Sequence, residues 1–195
     1  MIVPSNRAFS ITSSGRLTFE AWIRPNHLQW TSASDPSGQG FVNFMGKCAH
    51  YSGSCEWSTR MYASVNRQRR CNRISAYAFN LTGGFGSGAD WQPVCGLLRA
   101  GQWLYAVGEY QTPYTPPYCN RAYPGSVAVW VNGIRLVNYR SNGCMSQYRV
   151  RPHAGNSPLT IGTMAMDSWF PGAVGKVAFM TRCSARRRSQ RTSRR

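Results

Sequence analysis

The segment from Ser157 to Arg182, SPLTIGTMAMDSWFPGAVGKVAFMTR, constrains the fold most, because it reads as two short strands joined by a bend that carries Gly and Asp. Near the other end, LTFEAWIRP (17–25) alternates strictly. Leu17, Phe19, Ala21 and Ile23 fall on one face and Thr18, Glu20, Trp22 and Arg24 on the other, the period-two pattern of a half-buried strand. Runs of the same kind recur at 41–45, 56–62, 73–79, 103–109, 127–131, 134–139, 158–161 and 173–180, bounded by Gly, Pro, Asn and Ser. No helical run of convincing length interrupts them, so the chain is predicted to be all-β. Asn132-Gly133, between VAVWV and IRLVNY, predicts a tight hairpin, since a type I′ turn needs positive φ at both central residues. Longer loops are expected at 26–40, 47–55, 81–98, 111–125 and 140–157, with TGGFGSGAD read as a flexible loop. PSNRAFSI reads as a first strand.

A chain of 195 residues with 42% hydrophobic content is enough for one packed core. No linker splits it, and no apolar stretch is long enough for a membrane span. One domain over 1–183 and a basic tail over 184–195 are expected. The tail, with six Arg between Arg186 and Arg195 and no apolar anchor, is expected to be disordered. Without those six, the net charge of +17 falls to +11, so the domain itself is basic and attracts anionic polymers in general, nucleic acid only non-specifically. The amino terminus lacks the basic n-region and apolar core of a signal peptide. The chain is therefore expected to be a module of a longer exported protein, or a reading frame missing its front.

Taken in order, LTFEAWIRP, EWSTRMY (56–62), NRISAYAFN (72–80), GQWLYAVGEY (101–110), VAVWVNGIRLV (127–137) and IGT…DSWF.GAVGKVAF near the end resemble the laminin G-like domains of the concanavalin A-like lectin/glucanase superfamily, in their bacterial and phage-borne form. The resemblance covers roughly residues 4–182 and implies an antiparallel two-sheet jelly-roll sandwich whose loops gather at the sheet ends. It departs from the family at the carboxyl end, where CSARRRSQRTSRR replaces the apolar segment with which relatives return across the sandwich.

Since the superfamily includes glucanases, a carboxylate pair is the first chemistry to look for. The six acids, Glu20, Glu56, Glu109, Asp35, Asp90 and Asp167, form no closely spaced cluster, and no nucleophile elbow, P-loop or dinucleotide fingerprint is present, so no enzymatic activity is expected. No cofactor is expected either. Calcium, held in many laminin G-like domains, would fall to Asp167 and Asp90, each equally a turn-capping residue. The seven cysteines lie in or beside loops. Cys48, His50, Cys55 and Cys71 match no common zinc spacing, and disulfides in an oxidising compartment are expected instead, the simplest pairing being Cys48–Cys55, Cys71–Cys95 and Cys119–Cys144 with Cys183 left over.

What remains is a binding surface. Sugar rings stack on flat aromatic faces while their hydroxyls bond polar side chains. Trp57, Arg60 and Tyr62 along EWSTRMY are assigned to one strand face, Tyr77 lies in ISAYAF with Asn80 at its end, and Trp91, Asp167 and Trp169 fall in stretches read as loops. These eight are the candidate ligand-binding residues. Asn80-Leu81-Thr82 is also a glycosylation sequon, relevant only in a eukaryotic secretory pathway. The expected function is a non-catalytic module at a cell or particle surface, binding carbohydrate or mediating adhesion, with a basic structural or interaction module for anionic polymers as the alternative and a glycoside hydrolase as the third reading.

Overall fold

The computed structural model describes residues 1–49, 55–64, 73–79, 87–91, 98–111, 125–135, 147–148 and 155–181. Among them, two antiparallel sheets face one another. The first runs β1 (Ile2–Val3), β12 (Leu159–Ile161), β4 (Met45–Lys47), β5 (Trp57–Tyr62), β6 (Ile74–Ala78) and β7 (Ser87–Trp91), with β3 (Phe41–Val42) also paired to β5. The second runs β10 (Ile134–Arg135), β9 (Gly125–Val131), β8 (Leu104–Gln111), β2 (Arg16–Pro25) and β15 (Gly172–Met180), with β11 (Gln147–Tyr148) also on β9. A separate two-stranded flap pairs β13 (Thr163–Met164) with β14 (Ser168–Trp169). The all-β, antiparallel two-sheet sandwich expected from the alternating runs is the architecture observed.

The strand β2 sits between β8 and β15 and sets the core. Its odd residues Leu17, Phe19, Ala21 and Ile23 are all buried in the main hydrophobic cluster, as the alternation requires. Phe19 stacks on Trp57 of the opposite sheet, ring centroids 6.1 Å apart and planes 10° from parallel, and meets Phe44 edge-on at 6.4 Å. Gly108 on β8 lies directly across from Phe19, and a Cβ there would fall 2.0 Å from the Phe19 Cε1 atom, so the ring occupies the space a side chain would need. The two sheets are also tied by polar contact. The Tyr110 hydroxyl of β8 donates to the Ser58 carbonyl of β5 at 3.0 Å.

The Asn132-Gly133 hairpin forms as expected, with φ of 51° and 81°. The Asn132 side chain also accepts from the Tyr105 N–H at 2.9 Å. Three local expectations fail, the first being the loop over 140–157, within which Gln147–Tyr148 pairs with β9. PSNRAFSI is not a strand. Pro4 removes a ladder donor and Asn6 accepts from the Ala8 N–H at 2.9 Å, capping a 3-10 turn at Arg7–Phe9, so the pairing is made earlier, by Ile2 and Val3 against β12. The end of the glycine-rich stretch is not loop either: Ser87–Trp91 pairs residue by residue with β6, Ile74 opposite Trp91 and Ala78 opposite Ser87. An open strand edge recruits the segment although Gly, Ser and Asp are poor strand formers.

Cys48 and Cys55 follow β4 and precede β5, and they are bonded, with Cα atoms 3.9 Å apart. The remaining cysteines, with His50 and the 184–195 tail, lie outside the described residues.

Candidate functional site

The structure divides the eight residues chosen from sequence. Trp57 does not share a face with Arg60 and Tyr62. It is an odd number of positions from Arg60 and from Tyr62, so the pleat turns it to the inner face, where it is fully buried against Phe19, Tyr110 and Phe179. Arg60, Tyr62 and Tyr77 do come together on the outer face of the first sheet, joined by Phe41. The Arg60 guanidinium carbon lies 4.0 Å from the Tyr77 ring centroid and 4.3 Å from that of Phe41. All four residues are buried, Arg60 to 7% exposure, and the Arg60 Nε has no hydrogen-bond partner. Tyr77 packs with Phe79, the Cys48–Cys55 bridge and Met164, which reaches over from the flap. This face is thus a second, covered core: Gly46 on β4 leaves the room, since a Cβ there would come within 3.1 Å of the Met164 Cγ.

Trp169 stands on the flap, 41% exposed. Its N–H donates to the Ser34 carbonyl at 2.9 Å, and the neighbouring Ser168 hydroxyl accepts from the Asn43 N–H at 2.8 Å. Asp167 closes the flap turn through its N–H to the Met164 carbonyl at 3.0 Å. Trp91 lies in β7, in a strand and not in the loop expected of it, and Asn80 lies outside the described residues. Among the described residues, no three metal-ligating side chains converge.

The residues that sequence reasoning passed over are on the outer face of the second sheet. Trp22 is 39% exposed and Trp103 is 45% exposed. Register explains their adjacency. Trp22 on β2 is opposite Tyr105 on β8, ring centroids 5.3 Å apart, and Trp103 continues the same row of β8 one step beyond the Ile23–Leu104 pair, beside Arg24. The Arg24 guanidinium lies over the Trp103 ring, 5.3 Å from its centroid, and its buried Nε has no hydrogen-bond partner. On the other side of β2, the strand β15 offers only Ala173 opposite Arg24 and Gly175 opposite Trp22. The Trp103 ring edge reaches across to within 3.8 Å of where a Gly175 Cβ would be. A β-bulge follows, with exposed Lys176 at φ 48°. The result is an aromatic shelf beside a guanidinium, with the Trp103 ring extending toward the small residues of the neighbouring strand. The sequence signal was available: Trp22 and Arg24 are the outward members of the alternation in LTFEAWIRP.

The buried polar groups have a structural task. Glu56 accepts from the Ile11 N–H at 2.6 Å, the Ser10 hydroxyl at 2.8 Å, the Lys47 ammonium at 2.9 Å and the Gly155 N–H at 3.4 Å, while Lys47 also donates to the Gly155 carbonyl. A charge pair this deep holds only when its remaining donors and acceptors are filled, and here they pin the amino-terminal turns and Gly155 to the sheet. Asp35 is engaged within its own loop, by the Gly40 N–H at 2.6 Å and the Ser37 hydroxyl at 2.8 Å.

Fold and shelf together define an antiparallel β-sandwich with an aromatic, cationic outer face. No family model matches the sequence, and no curated protein matches it. Among solved structures, the chain is similar to a botulinum neurotoxin type G receptor-binding domain, with a TM-score of 0.50 and 7% identity over 92% of this chain. It spans 38% of that structure's length. An alginate lyase mutant in complex with alginate tetrasaccharide aligns at a TM-score of 0.40 and 12% identity, over 85% of this chain and 67% of that one.

Proposed function

We propose that this chain is a non-catalytic binding module of the laminin G-like, concanavalin A-like kind, carried by an exported or surface protein, and that it holds carbohydrate on the outer face of its second sheet. The observation that carries this reading is the shelf of Trp22, Tyr105 and Trp103, two of whose rings are substantially open to solvent beside a guanidinium. Flat apolar faces next to a hydrogen-bonding fork suit a pyranose ring, which has an apolar face and a polar rim. An exported setting is supported by the buried Cys48–Cys55 bridge. The likeness to part of a structure described as a receptor-binding domain is one of fold, and it is compatible with this reading.

The second reading, a module for anionic polymers, rests on the net charge of +17. A glycan array in moderate salt, with and without calcium, separates the two. Under the carbohydrate reading, a set of glycans is retained at about 0.15 M salt and lost in Trp22→Ala, because stacking is not screened as charge is. Retention of every polyanion regardless of sugar, abolished by salt and indifferent to Trp22→Ala, would favour the polymer reading.

A further inference from the structure

Building on the carbohydrate reading of the shelf, we infer that its ligand is an acidic sugar, whose oxyanion is received by Arg24 while its ring stacks on Trp22. Both side chains project from the same face of β2, two positions apart, a spacing of roughly 6.6 Å along a strand. The guanidinium is held in place before any ligand arrives. Trp103 lies beneath it, 5.3 Å from guanidinium carbon to ring centroid, a cation–π contact that restrains the head group. Its Nε has no hydrogen-bond partner, an unusual state for a buried donor, and no carboxylate among the described residues forms an ion pair with it. Glu20 lies on the same face, but four residues away and buried with contacts of its own. A planar fork of this kind matches an oxyanion with two parallel hydrogen bonds, which a neutral hydroxyl cannot supply.

The division of labour is specific. Trp22 provides the stacking face, with Tyr105 beside it. Arg24 provides the charge, and Trp103 is a positioning residue for Arg24.

The test is calorimetric titration of the full chain, at physiological salt, with an oligogalacturonate, its methyl ester, a neutral cello-oligosaccharide of equal length and a sulfated galacto-oligosaccharide. Wild-type protein is expected to prefer the free acid or the sulfated sugar over the ester and the neutral sugar by about tenfold or more, the worth of a charge-assisted hydrogen bond. Which of the two acidic sugars binds more tightly identifies the oxyanion as carboxylate or sulfate. Arg24→Gln should erase the preference while leaving residual binding, Arg24→Lys should retain part of it, and Trp22→Ala should weaken acidic and neutral sugars alike. Heteronuclear spectra of each variant check that the fold is kept. If wild type binds ester and acid equally, or Arg24→Gln keeps the acid preference, the inference fails while the carbohydrate reading stands. If no sugar binds, or binding survives Trp22→Ala unchanged, both fail.

Discussion

Phe19 and Gly108 form a lock between neighbouring strands. The ring fills the volume above the glycine, with 2.0 Å between its Cε1 and the position a Cβ would take. Gly108→Ala is expected to lower stability by about 2–3 kcal/mol, the cost of overpacking, because the stack on Trp57 leaves the ring nowhere to move. In chemical denaturation, Phe19→Leu should then cost less in the Gly108→Ala background than in wild type; equal costs would contradict the lock. Tyr110 gives a second prediction at this scale. Burial, more than the nearby Glu56 charge, drives its phenol well above the usual value, with a backbone hydrogen bond at Tyr77 acting the other way. Its folded state thus keeps a proton that the unfolded state releases above a pKa of about 10. The stability it confers is fully present below that pH and lost as pH rises past it, by up to about 1.4 kcal/mol per pH unit. Tyr110→Phe should cost about 1 kcal/mol at neutral pH, where the hydrogen bond to Ser58 is lost, yet show a shallower alkaline decline. An unchanged alkaline slope would reject the assignment.

At the level of strands, legibility in the sequence followed the pleat. LTFEAWIRP declared its inner face, and the same alternation declared Trp22 and Arg24 outward. In EWSTRMY, by contrast, Trp57 and Tyr62 cannot share a face, being five positions apart. The outer face of the first sheet was legible as a grouping of Arg60, Tyr62 and Tyr77 but not as a buried one, because the flap that brings Met164 onto it comes from residues more than 80 positions later. The strand β7 was hidden for a different reason: its Gly and Ser carry no strand signal, and pairing with β6 alone defines it. The Cys48–Cys55 bridge lies at the turn from β4 to β5 and under the flap. Replacing both cysteines with Ala should lower stability by about 2–3 kcal/mol, the value expected for closing so short a loop. The midpoint of urea unfolding, compared between the variant and wild type without reductant, checks this. An unchanged midpoint would show that the bridge contributes nothing.

For the whole molecule, charge and site are separable. Deleting Arg186 to Arg195 lowers the net charge from +17 to +11 and should flatten the dependence of heparin affinity on salt, since fewer counterions are released per complex. The melting temperature should change little, and recognition of glycans at the shelf should be untouched. A large loss of melting temperature would mean that this segment packs on the sandwich. Recognition on the outer face of the second sheet is tested by following the indole N–H resonances of the seven tryptophans during titration with an acidic oligosaccharide. Trp22 and Trp103 should shift progressively and saturate together, while Trp57, fully buried between the sheets, stays fixed. Shifts confined to Trp169 on the flap, with Trp22 and Trp103 silent, would contradict the account and move the site to the other sheet.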